Sequence, residues 1–138
     1  MKRLLLFFCV LPLTIFSQSV QIGDTFEGGV IFYLDGNGGG LVSAPSNSGA
    51  YPGLYWGCDG TNLVGANETA IGTGNQNTND ILNGCTTAGI AADICANLTI
   101  GGYNDWFLPS KDELNQLYIN KVSVGGFMGG DYWSSTQA

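Results

Sequence analysis

Three carboxylates near the C-terminal third are the first residues that could do chemistry. Asp105, Asp112 and Glu113 lie within nine residues of one another and offer the oxygen ligands that calcium takes. Their spacing separates their roles. Ser110-Lys111-Asp112-Glu113 reads as a capping box, with Ser110 capping a helix and Glu113 reaching back to the cap N–H. Asp112 then suits the positive end of that helix. Asp105, beside Asn104, is left as the one calcium candidate. No metal or other cofactor is otherwise expected. Glycoside hydrolysis needs two facing acids, and no such pair stands out. The chain has no histidine, which removes Ser-His and Cys-His catalysis and the common zinc sites. Binding is therefore the expected chemistry, not catalysis. Tyr132 and Trp133 follow Asp131, and alternation along a strand would expose one ring beside that acid, where it could stack on a sugar. The competing reading puts both rings in the core with Trp106. The ligand-binding candidates are Asn104, Asp105, Asp131, Tyr132 and Trp133.

The start of the chain governs the cysteine count and the charge. Met1-Lys2-Arg3 is basic, and residues 4–16 form an uncharged run of 13. As a helix that run spans roughly 20 Å at about 1.5 Å per residue, short of a bilayer core of about 30 Å. Ser17-Gln18-Ser19 supplies small residues for cleavage. Residues 1–19 thus read as a signal peptide, and residues 20–138 as one secreted or surface-exposed domain. Phe8 before Cys9 argues against a lipidation site. No later run is long enough to span a membrane. Cleavage leaves Lys111 and Lys121 against 11 acidic residues, a net charge of −9. Such a surface repels nucleic acid. Cleavage also leaves three cysteines, Cys58, Cys85 and Cys95. An exported chain meets oxidising conditions. If Cys85 and Cys95 share one helix, they stand about 15 Å apart, too far for a bond that needs Cα atoms within about 7 Å. Cys58 is then expected to pair with one of them, leaving an odd thiol.

These residues need elements to position them. Residues 29–35 (GVIFYLD), the glycine-rich turn 36–40 and residues 41–44 predict a β-hairpin. Residues 46–53 read as loop, 54–56 as a short strand, and 59–79 as a long polar loop whose Gly72-Thr73-Gly74 reads as a plain turn. Ile81, Cys85, Ala88, Ala92, Cys95 and Thr99 make one helical stripe, weakened by Gly84 and Gly89. Gly101-Gly102 ends it. Trp106-Phe107-Leu108-Pro109 is extended, and a helix with a stripe of Leu114, Leu117 and Tyr118 runs to about Lys121. Residues 132–136 begin a strand. A strand without a partner after it reads as a fragment lacking its closing strands.

Asp105-Trp106-Phe107-Leu108-Pro109-Ser110-Lys111-Asp112-Glu113-Leu114 and Tyr132-Trp133-Ser134-Ser135-Thr136 together resemble a known signature. It is similar to the C-terminal domain of the Legionella collagen-like protein, a domain long without assigned function. The hairpin Gly28-Gly29-Val30-Ile31-Phe32-Tyr33 and the stretch from Trp56-Gly57-Cys58 through Ile71-Gly72-Thr73-Gly74 to Cys85 extend the likeness over nearly all of residues 20–138. The resemblance implies an extracytoplasmic α+β domain of C-type-lectin-like fold, with short strands, two helices and long Gly/Asn-rich loops. In it, Trp106, Pro109, Ser110, Glu113, Leu114, Ser134, Ser135 and Thr136 form the structural signature. The implied function is adhesion or glycan binding. The family's best-known member takes sulfated glycans, which a charge of −9 does not suit. The alternatives are a structural module of a larger surface protein and an enzyme of the formylglycine-generating type.

Overall fold

The computed structural model describes residues 8–14, 19–45 and 54–138. Met1-Lys2-Arg3, Ser17-Gln18 and the loop 46–53 lie outside the described residues. The described elements are β1 (Val10–Thr14), β2 (Thr25–Phe26), β3 (Gly29–Leu34), β4 (Gly39–Ser43), α1 (Gly74–Gly84), α2 (Ala91–Ala96), α3 (Lys111–Ile119) and α4 (Lys121–Val124). The protein is thus a mixed α+β structure built on a small antiparallel sheet of order β1-β4-β3-β2.

The expected hairpin is β3–β4. Asp35 closes its turn: one carboxylate oxygen accepts the N–H of Asn37 at 2.7 Å and of Gly39 at 2.9 Å. These bonds hold the Asp35 carboxyl below its ordinary value. The hairpin needs a bare backbone where the strands meet, because a Cβ on Gly29 would strike the Ser43 carbonyl and the Val42 side chain.

Both faces of the sheet are covered, which makes strand alternation sort the core into two clusters. Cys9, Leu11, Leu13, Ile31 and Val42 pack with Ala91, Cys95, Trp106 and Leu108. On the other face Phe8, Val10, Phe32 and Leu41 pack with Phe107 and Leu117. Trp106, Phe107 and Leu108 therefore alternate between the two clusters, as an extended segment requires. A third cluster, Leu63, Ala66, Ile81, Cys85, Ile90 and Ala92, gives the long polar loop its own small core.

Several expectations change here. The apolar run read as the core of an export signal contains β1, paired with β4 from Val10↔Ser43 to Thr14↔Gly39. Cys9, set aside with that signal, bonds Cys95 with Cα atoms 5.2 Å apart, so no thiol is odd while residues 8–14 are present. Cys58 pairs with Cys85, at 5.6 Å, one of the two partners the spacing allowed. The single helix expected from residue 81 is two. α1 begins earlier, at Gly74, inside the expected loop, and α2 is separate. Gly89 sits at φ +77 between them, a conformation that interrupts a right-handed helix. Residues 54–56 and 132–136 form no strand among the described elements, because their hydrogen bonds go to one another and to loops.

The Cys58–Cys85 bond closes 27 residues, a loop worth about 3–4 kcal/mol in chain entropy. Replacing both cysteines by serine should lower unfolding free energy by about 2–5 kcal/mol in urea titration. A loss near zero would mean that the third cluster holds this loop alone.

Candidate functional site

The site is built outward from Glu113, a fully buried carboxylate with 0% exposure. The capping box forms as its spacing requires. Ser110 N–H donates to Glu113 Oε2 at 2.7 Å, and Glu113 N–H donates to Ser110 Oγ at 3.3 Å. The carboxylate has a second task. Oε1 accepts Gly72 N–H at 2.8 Å, and the Gly74 N–H also bonds the group. Gly72-Thr73-Gly74, read as a plain turn, is thus half of a carboxylate cradle. A Cβ on Gly74 would strike Glu113 Oε2 and crowd Ser110 N, so the cradle needs that glycine. Burial pushes the Glu113 carboxyl above its ordinary value, against the backbone N–H groups that pull it back.

Two neighbouring bonds extend this latch. Ser110 Oγ donates to Ala70 O at 2.9 Å, and Asp112 N–H donates to Thr69 O at 3.0 Å. The C-terminal segment then lies against both partners. Ser135 N–H donates to Pro109 O at 2.7 Å, and Gln137 N–H to Ala66 O at 2.6 Å. Thr136 Oγ1 accepts Lys111 N–H at 2.9 Å and donates to Glu68 O at 2.8 Å. The Thr136 hydroxyl therefore fastens residues 66–74 to residues 109–113, while Ser135 is held to Pro109 by its backbone N–H and its hydroxyl accepts from the Asn77 amide.

This fastening places two indoles. Trp56 Nε1 donates to Ser134 O at 2.7 Å, and Trp133 Nε1 donates to Leu54 O at 3.1 Å. Each ring caps a carbonyl beside the other ring, so both are held in fixed orientations. Trp56 and Trp133 line a groove of about 740 Å³, with Asp59, Thr61, Asn62 and Gln137 on its walls. Gln137 is itself anchored, accepting Leu63 N–H at 2.8 Å and donating to Thr61 O at 2.7 Å. The groove offers two apolar ring surfaces with hydroxyl, amide and carboxylate groups around them.

The expected binding residues divide among three places. Trp133 and Tyr132 line this groove. Tyr132 also packs against Phe8 and Phe127, with centroids 5.5 and 5.2 Å away. Its hydroxyl donates to Met128 O at 2.9 Å and accepts Met128 N–H at 3.0 Å. Tyr132 and Trp133 so pack on the two opposite core clusters. Asp131 and Tyr132 border a second depression of about 510 Å³, with Asp112, Tyr118 and Phe127. Asn104 and Asp105 are exposed on another loop and line neither depression. Asp105 instead faces Glu27, and its charge adds to burial in raising the Glu27 carboxyl. Among the described residues no group of three or more His, Cys, Asp or Glu side chains comes together to hold a metal ion. Asp59, Asn62 and Gln137 were not singled out by the sequence. Their signal, a polar stretch next to a tryptophan-cysteine pair, acquires meaning only when Gln137 folds back upon it.

No family model, curated protein or solved structure matches this chain.

Glu113→Gln puts an amide donor where only N–H donors converge, and should cost about 2–4 kcal/mol of stability in urea titration. Gly74→Ala should cost about 1–3 kcal/mol by overpacking the same spot. The pH dependence has a definite sign. With its folded value raised above 4.5, Glu113 contributes most below that pH, and the contribution is lost as pH rises through the folded value. The stability gap between wild type and Glu113→Gln should therefore narrow from acid towards neutrality. A gap that widens over that range would mean the folded carboxyl titrates below 4.5.

Proposed function

We propose that this protein is an exported, non-catalytic recognition module of C-type-lectin-like fold that binds uncharged oligosaccharides in the Trp56–Trp133 groove. The observation that carries this reading is the reciprocal hydrogen bonding of the two indoles. Rings already held in place lose little freedom when a ligand stacks on them, and sugar faces offer the apolar C–H surface that such rings take. Asp59, Asn62 and Gln137 supply the acceptors and donors that hydroxyl groups need. The acidic surface supports an uncharged ligand over a sulfated one.

Two disulfides fit an oxidising compartment, and no described helix is long and apolar enough to cross a membrane. The Cys58–Cys85 bond, which lies wholly within residues 20–138, is the one that supports export by the N-terminal signal. The lectin-like assignment rests on the sequence signature and on the α+β arrangement around the capping-box turn. An enzyme of the formylglycine-generating type would use a cysteine thiol, whereas Cys58 and Cys85 are bonded to each other and remain so after cleavage. A structural or assembly role is the second reading. It is favoured by Tyr118, Ile119 and Val122, large apolar side chains exposed on α3 and α4.

Glycan-array screening of the exported protein tests the choice. Binding to an uncharged oligosaccharide is expected, and Asp59→Ala with Asn62→Ala should weaken it about tenfold or more, the worth of one or two hydrogen bonds. Melting temperature should stay unchanged, because both side chains are on the exposed wall. Concentration-dependent self-association without glycan binding would replace this reading by the assembly one.

A further inference from the structure

Strand β1 is gripped from both sides. Five residue pairs join it to β4. On its other edge Val10 N–H donates to Phe107 O at 2.9 Å, and Phe107 N–H donates to Val10 O at 2.9 Å. Cys9, Leu11 and Leu13 enter one core cluster, and Phe8 and Val10 enter the other. Pro12, the one exposed residue of residues 8–13, has its ring nitrogen on the edge away from β4, where a strand tolerates a missing N–H. The Cys9–Cys95 bond fixes the strand at one end.

The same residues carry the apolar run of the export signal. Cleavage at residues 17–19 removes them from the mature chain. That opens the edges of β4 and of the Phe107 segment, uncovers both core faces, and leaves Cys95 as the unpaired thiol beside the intact Cys58–Cys85 bond. Open edges flanking apolar surface are sites for strand addition.

We infer that the channel between β4 and Phe107, with Cys95 at its end, is a strand-acceptor site in the exported protein. Its ligand is an extended segment of a partner polypeptide that carries a cysteine followed by an unbroken run of apolar residues, the pattern that β1 displays. The linkage forms by exchange. The Cys95 thiolate attacks a disulfide of the partner's cysteine, making the Cys95–partner bond and expelling the other sulfur as thiolate, so the incoming disulfide is the oxidant. The inference rests on the export reading given under Proposed function.

The full chain is expressed for export, and the exported product is weighed by mass spectrometry. It is then offered a peptide of residues 8–14, FCVLPLT, whose cysteine is activated as a thiopyridyl disulfide. A peptide of the same composition with the residue order scrambled is the comparison. The expected product lacks residues 8–14. The native-pattern peptide should couple to Cys95 about tenfold or more faster than the scrambled one, a difference of about 1.4 kcal/mol in the transition state. The coupled protein should melt at least about 4 °C higher. If the cleaved chain is unfolded alone, circular dichroism should show structure regained on coupling. Equal coupling rates, or coupling without gain in melting temperature or structure, would overturn the acceptor site and leave export intact. An exported product that retains residues 8–14 with Cys9 bonded to Cys95 would overturn the export reading, and this inference with it.

Discussion

A single buried carboxylate organises the functional end of this molecule. Glu113 has no exposure, and an unpaired carboxylate in such a place would be costly. It is tolerated because backbone N–H groups from two distant segments converge on it: Ser110 from the turn into α3, and Gly72 and Gly74 from the start of α1. The carboxyl group thereby ties together parts of the chain about 40 residues apart in sequence. Thr136 can only bridge those two segments because the latch has already set them side by side.

From that junction the order of cause runs to the groove. The fastened residues 134–137 present Ser134 O to Trp56 and Gln137 to the loop at residues 61–66. Trp133, immediately before them, caps Leu54 O and packs into the sheet cluster. The sheet and its two covered faces are the platform. The loops on it are shaped by polar contacts, with the Cys58–Cys85 bond as a covalent brace. A recognition surface built on loops needs this kind of support, since loops bury too little apolar surface to hold themselves.

What could be read from the sequence follows the range of each interaction. The capping box was legible because its partners are three residues apart. The hairpin was legible because its strands are adjacent and joined by a glycine-rich turn. The second role of Glu113 was not legible, because Gly72 and Gly74 are about 40 residues away and nothing local marks them as donors. The stripe from Ile81 to Thr99 holds at four positions, with Ile81, Cys85, Ala92 and Cys95 in the core, and fails at Ala88 and Thr99, which are exposed. It missed the break, which depends on Gly89 adopting a positive φ. The apolar run at residues 4–16 is the hardest case. A strand covered on both faces shows no polar alternation, so it reads like any short apolar segment. Of the five expected ligand residues, Trp133 and Tyr132 reach the groove and Asn104 and Asp105 do not. Asp131 borders the second depression. That outcome reflects tertiary placement that neighbouring residues do not encode.

The central claim is that the Glu113 latch and the tryptophan groove are one cooperative unit. Hydrogen exchange resolved by NMR tests it most directly, comparing wild type with Glu113→Gln under conditions where both remain folded. The account predicts that the Gly72 and Gly74 amides and the Trp56 and Trp133 indole N–H groups all exchange slowly in wild type, and that all four accelerate together in the variant, by about tenfold for each 1.4 kcal/mol of local stability lost. Acceleration confined to Gly72 and Gly74, with both indoles still protected as in wild type, would contradict it.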